Sequence, residues 1–236
     1  MKQQYFGDAR DYFKYDVLDR LASDLGSIER LTCLWMLTAP DRTGQGRVRF
    51  TDDPELPELT EFFRERLASD DPARRRVGEM RSYFASRPFA LVSYRDDRED
   101  FGPGTRAEYF ARVPDQALRR AVVFFDPDVG MEPGRATAQH LRFEELREVV
   151  SRMDGASVAV VFQYRRRVAD CWELVASQLA ERLGRPVAYV AEAVLAFYVI
   201  AQTRSRLAEV VGVLERIAGR RTPGAPGRRT VRTSDR

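Results

Sequence analysis

The sequence predicts an α/β protein with a mostly parallel sheet, a late antiparallel strand and helices on both faces. Three observations carry that expectation. Short β-branched or aromatic runs alternate with longer amphipathic stretches, as in parallel layered folds. AVVFF and SVAVVFQY are apolar without alternation, as strands covered on both faces are. PVAYVAEA and LAFYVIAQ lie too close together for a crossover helix, so they form an antiparallel pair.

The elements follow in order. A helix from about Asp8 to Asp24 places Tyr12, Phe13, Leu18 and Leu21 at helical spacing. A buried strand at Leu31 to Leu37 leads into the Pro/Gly loop TAPDRTGQGR. Leu59, Phe62, Phe63 and Leu67 mark a helix within Asp53 to Asp71, and a strand is expected at Phe89 to Tyr94. RDDREDFGPG is a loop by its charge and glycines. The strand Ala121 to Phe125 stops at Asp126-Pro127, and a helix over Leu141 to Arg152 leads to the strand Ser157 to Tyr164. A long helix over Val168 to Leu183 ends at Gly184, and another over Arg204 to Ala218 follows the antiparallel pair. This is the layout of Rossmann-like folds, whose ligands sit outside the carboxyl ends of the strands. There this chain carries TAPDRTGQGR, DPDVGM and QYRRR.

Composition bounds the function. The 236 residues include 39 Lys or Arg and 36 Asp or Glu, a formal net charge of +3, and 44% are hydrophobic. That supports one folded domain, 1–218, and excludes a disordered or low-complexity chain. No run is apolar enough to span a membrane and no apolar leader opens the chain, so the expected compartment is the cytoplasm. Cys33 and Cys171 stand in apolar contexts, as reduced core thiols do. The single histidine, His140, excludes His-rich metal sites and is read as a satisfied histidine, so no metal is expected. Residues 219–236 hold six arginines against Asp235 alone, and are expected to form a flexible basic arm suited to phosphate.

Four segments carry the chemistry. Tyr5, Phe6, Tyr12, Phe13 and Tyr15 crowd the opening, where aromatic faces beside Arg10 and Lys14 suit base stacking and phosphate. On a helix Asp8, Asp11, Tyr12 and Tyr15 share one face, which can present two carboxylates together. Asp126 and Asp128 close a buried strand and can divide the roles of acid and base. Asp41, Gly44 and Gly46 form a Gly-x-Gly loop that lets backbone approach a nucleotide or a cofactor carboxylate. Gln163 can read a base edge and Arg165 can fork onto phosphate. The bland alternatives are a helix cap at Asp8, core packing of the aromatics, an Asp/Gly turn and solvated charge.

The opening YFGDARDYFKYDVLDRL, with Gly44-Gln45-Gly46-Arg47, the strand end Asp126-Pro127 and the strand end Phe162 to Tyr164 in the same order, resembles the bacterial large-subunit ribosomal RNA adenine methyltransferases. The chain is also similar to a group of uncharacterised bacterial and phage-linked proteins sharing the FGD…DY.KY opening and the FFDPD strand end. The first resemblance implies S-adenosylmethionine bordered by Gly44 and Gly46, Asp126 accepting from the target amine, and Tyr12 and Lys14 closing the site. Asp128 and Val129 stand where those enzymes carry a proline and an aromatic, and an added carboxylate suits hydrolysis. Three functions follow as expectations: methyl transfer to a DNA or RNA base, glycosylase-like base excision by Asp126, Asp128 or Asp11, and a non-catalytic nucleic-acid binding module. The phage-linked similarity adds a role in antiviral defence.

Overall fold

The computed structural model describes residues 2–7, 9–40, 56–68, 76–219 and 229–234. Its order is α1 (Ala9–Asp24), β1 (Arg30–Trp35), α2 (Pro57–Ala68), α3 (Met80–Phe84), β2 (Ala90–Tyr94), α4 (Arg106–Ala111), β3 (Ala121–Asp126), β4 (Gly130–Met131), β5 (His140–Leu141), α5 (Phe143–Arg152), β6 (Val158–Tyr164), α6 (Cys171–Leu183), β7 (Val187–Ala191), β8 (Leu195–Ala201), α7 (Arg204–Ala218) and β9 (Thr230–Ser234). Seven strands form one sheet in the order β2-β1-β3-β6-β8-β7-β9. β2, β1, β3 and β6 run parallel, while β8 is antiparallel to β6 and to β7. The chain therefore has a Rossmann-like α/β fold with a late antiparallel portion.

β3 and β6 show no alternation because each is covered twice. Trp35, Phe124, Val160 and Phe197 pack under α1, α2, α3 and α7, while Phe125, Val161 and Tyr198 pack under α4, α5 and α6. Gly184 ends α6 in the left-handed conformation at φ 61°, which glycine adopts without a Cβ clash. Among the described residues no helix is long and apolar enough to cross a membrane.

The short helices α3 and α4, the ribbon β4–β5 and the strand β9 have no counterpart in the sequence reading. β9 falls inside the expected flexible arm, yet pairs antiparallel with β7 from Val187↔Ser234 to Ala191↔Thr230. Arg229 anchors it. Its guanidinium is buried over the Phe13 ring at 4.1 Å, pairs with Glu192 at 2.9 Å, and lies 3.6 Å from Asp16.

α1 differs from an ordinary surface helix. Asp11, Lys14, Asp16 and Asp19 are all buried along with Tyr12, Phe13, Tyr15, Val17 and Leu18, so both its apolar and its charged faces are covered. Each charge meets an opposite charge or a hydroxyl, as burial requires. Asp16 pairs with Arg20 at 2.9 Å, and Asp19 accepts from the Tyr83 hydroxyl at 2.7 Å and faces Arg87 at 3.0 Å.

Candidate active site at the carboxyl ends of β1 and β3

β1 is the first strand, β2 lies to one side of it and β3 to the other. The connections thus part between β1 and β3, which is where open α/β sheets bind ligands, beyond the strands' carboxyl ends. Asp126 is the last residue of β3, opposite Trp35 of β1. Only 1% of it is exposed, and its Oδ2 accepts from Lys14 Nζ at 2.9 Å. Lys14 also meets Asp11 Oδ1 at 2.9 Å, while Asp11 Oδ2 accepts from the Gly7 amide at 2.8 Å.

The ammonium stands 5.5 to 5.9 Å from the ring centroids of Phe162, Phe124 and Tyr15, close enough for cation–π attraction. Burial works against the charge on Lys14, but Asp11 and Asp126 outweigh it and hold its pKa above the ordinary lysine value. Burial pushes the Asp126 carboxyl above the usual carboxylate range, with Lys14 opposing the rise. The Cys33 thiol is pushed up by burial and then by Asp126, which makes it a core group.

Asp128 lies two residues further on in a different environment. Its Oδ2 accepts from Thr38 Oγ1 at 2.6 Å and lies 3.5 Å from Lys2 Nζ. Burial alone would raise its pKa, yet nearby positive charge, Lys2 included, and the Thr38 hydroxyl hold it below the usual value. Lys2 Nζ also donates to Thr38 Oγ1 at 2.9 Å and to the Ala39 carbonyl at 3.0 Å. The opening segment therefore crosses from the end of β1 to the end of β3.

The loop carrying both acids is braced. Gly130 stands at φ 127°, and a Cβ there would run into the Gln163 side-chain amide. Gln163 Oε1 accepts from the Met131 amide at 2.9 Å, and its Nε2 donates to the Val129 carbonyl at 3.3 Å and the Tyr164 carbonyl at 2.5 Å. Arg166 donates to the Met131 and Glu132 carbonyls at 2.7 and 3.0 Å, and Arg106 donates to the His140 carbonyl at 2.8 Å. His140 Nδ1 is 2.8 Å from the Thr137 hydroxyl, a local contact within this ribbon.

Several expected roles need correction. Tyr12 and Tyr15 turn inward instead of meeting a base: Tyr12 hydrogen-bonds Thr60 at 3.1 Å, and Tyr15 packs among Phe6, Trp35, Phe63 and Phe84. Lys14 and Asp11, expected at the substrate and in catalysis, lie buried beside Asp126, with Lys14 between the two carboxylates. Gln163 does not read a base edge, because both of its amide atoms are used within the fold. Arg165 remains exposed, and Asp126 and Asp128 do come together at one strand end. Asp8, Asp41, Gly44 and Gly46 lie outside the described residues.

Lys2 and Thr38 were missed, since a lone lysine and a lone threonine carry no periodic signal. The Arg10 guanidinium lies 5.3 Å over the Tyr164 ring, with Nη1 3.3 Å from its hydroxyl, which gives the site a cationic aromatic rim. At the end of β1, Thr38 is bonded to Asp128 and Lys2, and the Leu37 carbonyl accepts from the Phe101 amide at 3.0 Å. Among the described residues no cluster of three or more His, Cys, Asp and Glu side chains could hold a metal ion. In comparisons with protein-family models, curated proteins and solved structures, nothing matches the chain.

Proposed function

We infer that this chain is a nucleic-acid base-modifying enzyme whose chemistry is carried by Asp126 and Asp128, and that it acts by hydrolysis, cleaving a base from its sugar. One observation carries the reading: two carboxylates two residues apart, on a braced loop at the topological switch point, have pKa values displaced in opposite directions. Such divergence gives two neighbouring carboxylates two different roles, set by their environments. Asp128, ionised and largely buried beside Thr38 and Lys2, orients a water and takes its proton as the water oxygen bonds to the sugar C1′. The C1′–N bond breaks with its electron pair leaving on the base nitrogen, which takes up the proton that Asp128 removed from the water. Asp126, held by Lys14, sets a fixed negative potential beneath the positive charge that develops on the sugar. Arg10 over Tyr164, with exposed Arg165, suits a stacked base and its phosphate.

Methyl transfer is the second reading, favoured by the Rossmann-like strand order and by the resemblance that places S-adenosylmethionine beside Gly44 and Gly46. Two experiments separate them. Modified and unmodified DNA incubated with the full chain are scored for abasic sites, and Asp128→Asn and Asp126→Asn are expected to lose at least a hundredfold in rate. Calorimetric titration with S-adenosylmethionine, with Gly44→Asp as control, tests the other. Micromolar binding lost in that variant, with no abasic sites formed, would replace hydrolysis by methyl transfer. A nucleic-acid binder that is unaffected by both aspartate changes would be a binding module and no enzyme.

A further inference from the structure

Three large hydrophobic residues are exposed among the described residues: Val168 at 47%, Leu174 at 42% and Val194 at 47%. All three fall on one rim of the molecule, in the β6–α6 connection, the first turn of α6 and the turn between β7 and β8. Scattered exposed apolar residues need no explanation, but these three share the rim onto which the carboxyl end of β6 opens. Val194 is at the tip. The turn that carries it is closed by the Glu192 amide donating to the Leu195 carbonyl at 2.9 Å. It is tied to β6 by the Arg165 amide donating to the Val194 carbonyl at 2.9 Å, and by the Arg165 guanidinium 3.5 Å from the Ala193 carbonyl. Leu195 is in register with Tyr164, whose ring holds Arg10 at the edge of the acid site. β8 is separated from β3 by β6 alone, and Asp126 is level with Phe162 and so with Phe197, so the tip stands two strand spacings across and three residues outward, about 14 Å from Asp126.

A rigid apolar tip flanked by exposed Arg165 and Arg167, beside a site whose floor acid is buried, matches one ligand chemistry. An enzyme working on a base in a duplex must extrude that base, and an apolar side chain pushed between base steps fills the gap while cations hold the phosphates. Resting on the function inferred above, we propose that Val194 is the wedge that enters a nucleic-acid duplex when the target nucleotide leaves the stack, with Val168 and Leu174 as its apolar shoulders and Arg165 and Arg167 as its phosphate contacts. Val194 is thus a positioning residue: it touches the duplex and leaves the chemistry to the aspartates. A single strand, having nothing to unstack, does not need it.

The test uses the full chain with fluorescein-labelled DNA and RNA duplexes carrying a central 2-aminopurine, and with the same strands unpaired. Anisotropy reads binding and 2-aminopurine fluorescence reads unstacking. The wild type is expected to bind and to raise duplex fluorescence. Val194→Ser is expected to bind both forms within about twofold of the wild type and to lose at least two thirds of the rise on duplex. Val194→Leu, which restores an apolar tip, is expected to recover it. An undiminished rise in Val194→Ser, or wild-type binding with no rise on either duplex, would overturn the wedge and leave the nucleic-acid reading standing. No anisotropy change on any probe would overturn both. If sedimentation shows that the wild type self-associates and Val194→Ser does not, the rim is a contact between copies of this chain and the wedge is overturned.

Discussion

β3 and β6 are parallel neighbours, and each carries a polar residue at or near its carboxyl end that is only 1% exposed, Asp126 in one and Gln163 in the other. The two are satisfied in different ways. Gln163 is neutral and finds its partners locally, in the backbone of Val129, Met131 and Tyr164. Asp126 carries a charge that no backbone group can neutralise, so it draws Lys14 from a helix 112 positions away in sequence. An amide can therefore finish a strand end as scaffold. A carboxylate obliges the fold to import a cation and leaves a fixed dipole at the switch point.

That contrast can be broken in order of expected effect. Lys14→Met removes the cation shared by Asp11 and Asp126 and should cost about 3–5 kcal/mol in urea unfolding at pH 7. Without it burial holds the Asp126 carboxyl higher when folded than when unfolded, so the folded state binds more protons and the deficit should shrink as pH falls from 7 towards 4. A deficit that does not change with pH would show that Lys14 contributes packing alone. Gly130→Ala should cost about 2–3 kcal/mol, from the strained φ and from the clash with Gln163. Adding Gln163→Ala should give a total loss smaller than the sum of the two single changes, because one clash is then counted once. Gln163→Leu alone should cost about 1–3 kcal/mol through its unpaired backbone partners, with no dependence on pH between 5 and 8.

Asp128→Asn should have the smallest effect, about 1 kcal/mol or less at pH 7. Because the folded Asp128 pKa lies below the unfolded one, its contribution is present above about pH 4 and is lost as pH falls through the folded value. The variant should therefore lose less stability on acidification than the wild type, read as Tm between pH 5 and 3. The same substitution is expected to lose at least a hundredfold in turnover, which separates a residue needed for chemistry from one needed for folding.

Much of the fold was legible because its signals are local. AVVFF and SVAVVFQY lack alternation since helices cover both faces, and α7 lies where its spacing put it. The strand-end acid was legible too, because Asp126-Pro127 must stop a parallel strand. β9 was hidden: TVRTS is an edge strand with little burial, so its sequence is that of an exposed arm. The orientation of Tyr12 and Tyr15 was hidden for another reason. Helical spacing says which residues share a face but not whether that face meets solvent, and in α1 Asp11, Tyr12 and Tyr15 are all buried. Lys2 and Thr38 meet Asp128 only through tertiary proximity, which no spacing encodes.

A helix buried on its charged sides has a consequence for how the chain reaches its final state. α1 pairs Asp11 with Lys14 and Asp16 with Arg20 within itself, but the remaining partners of its charges are supplied by later segments, β3, Arg87 and Arg229 beside the last described strand. Until those segments exist, Asp11, Asp16 and Asp19 are better solvated than buried, so the helix cannot dock early. Such distant pairings slow folding. The segment that supports Asp126 is therefore among the last to settle, and a chain lacking Arg229 would hold its sheet before it holds the floor beneath that carboxylate.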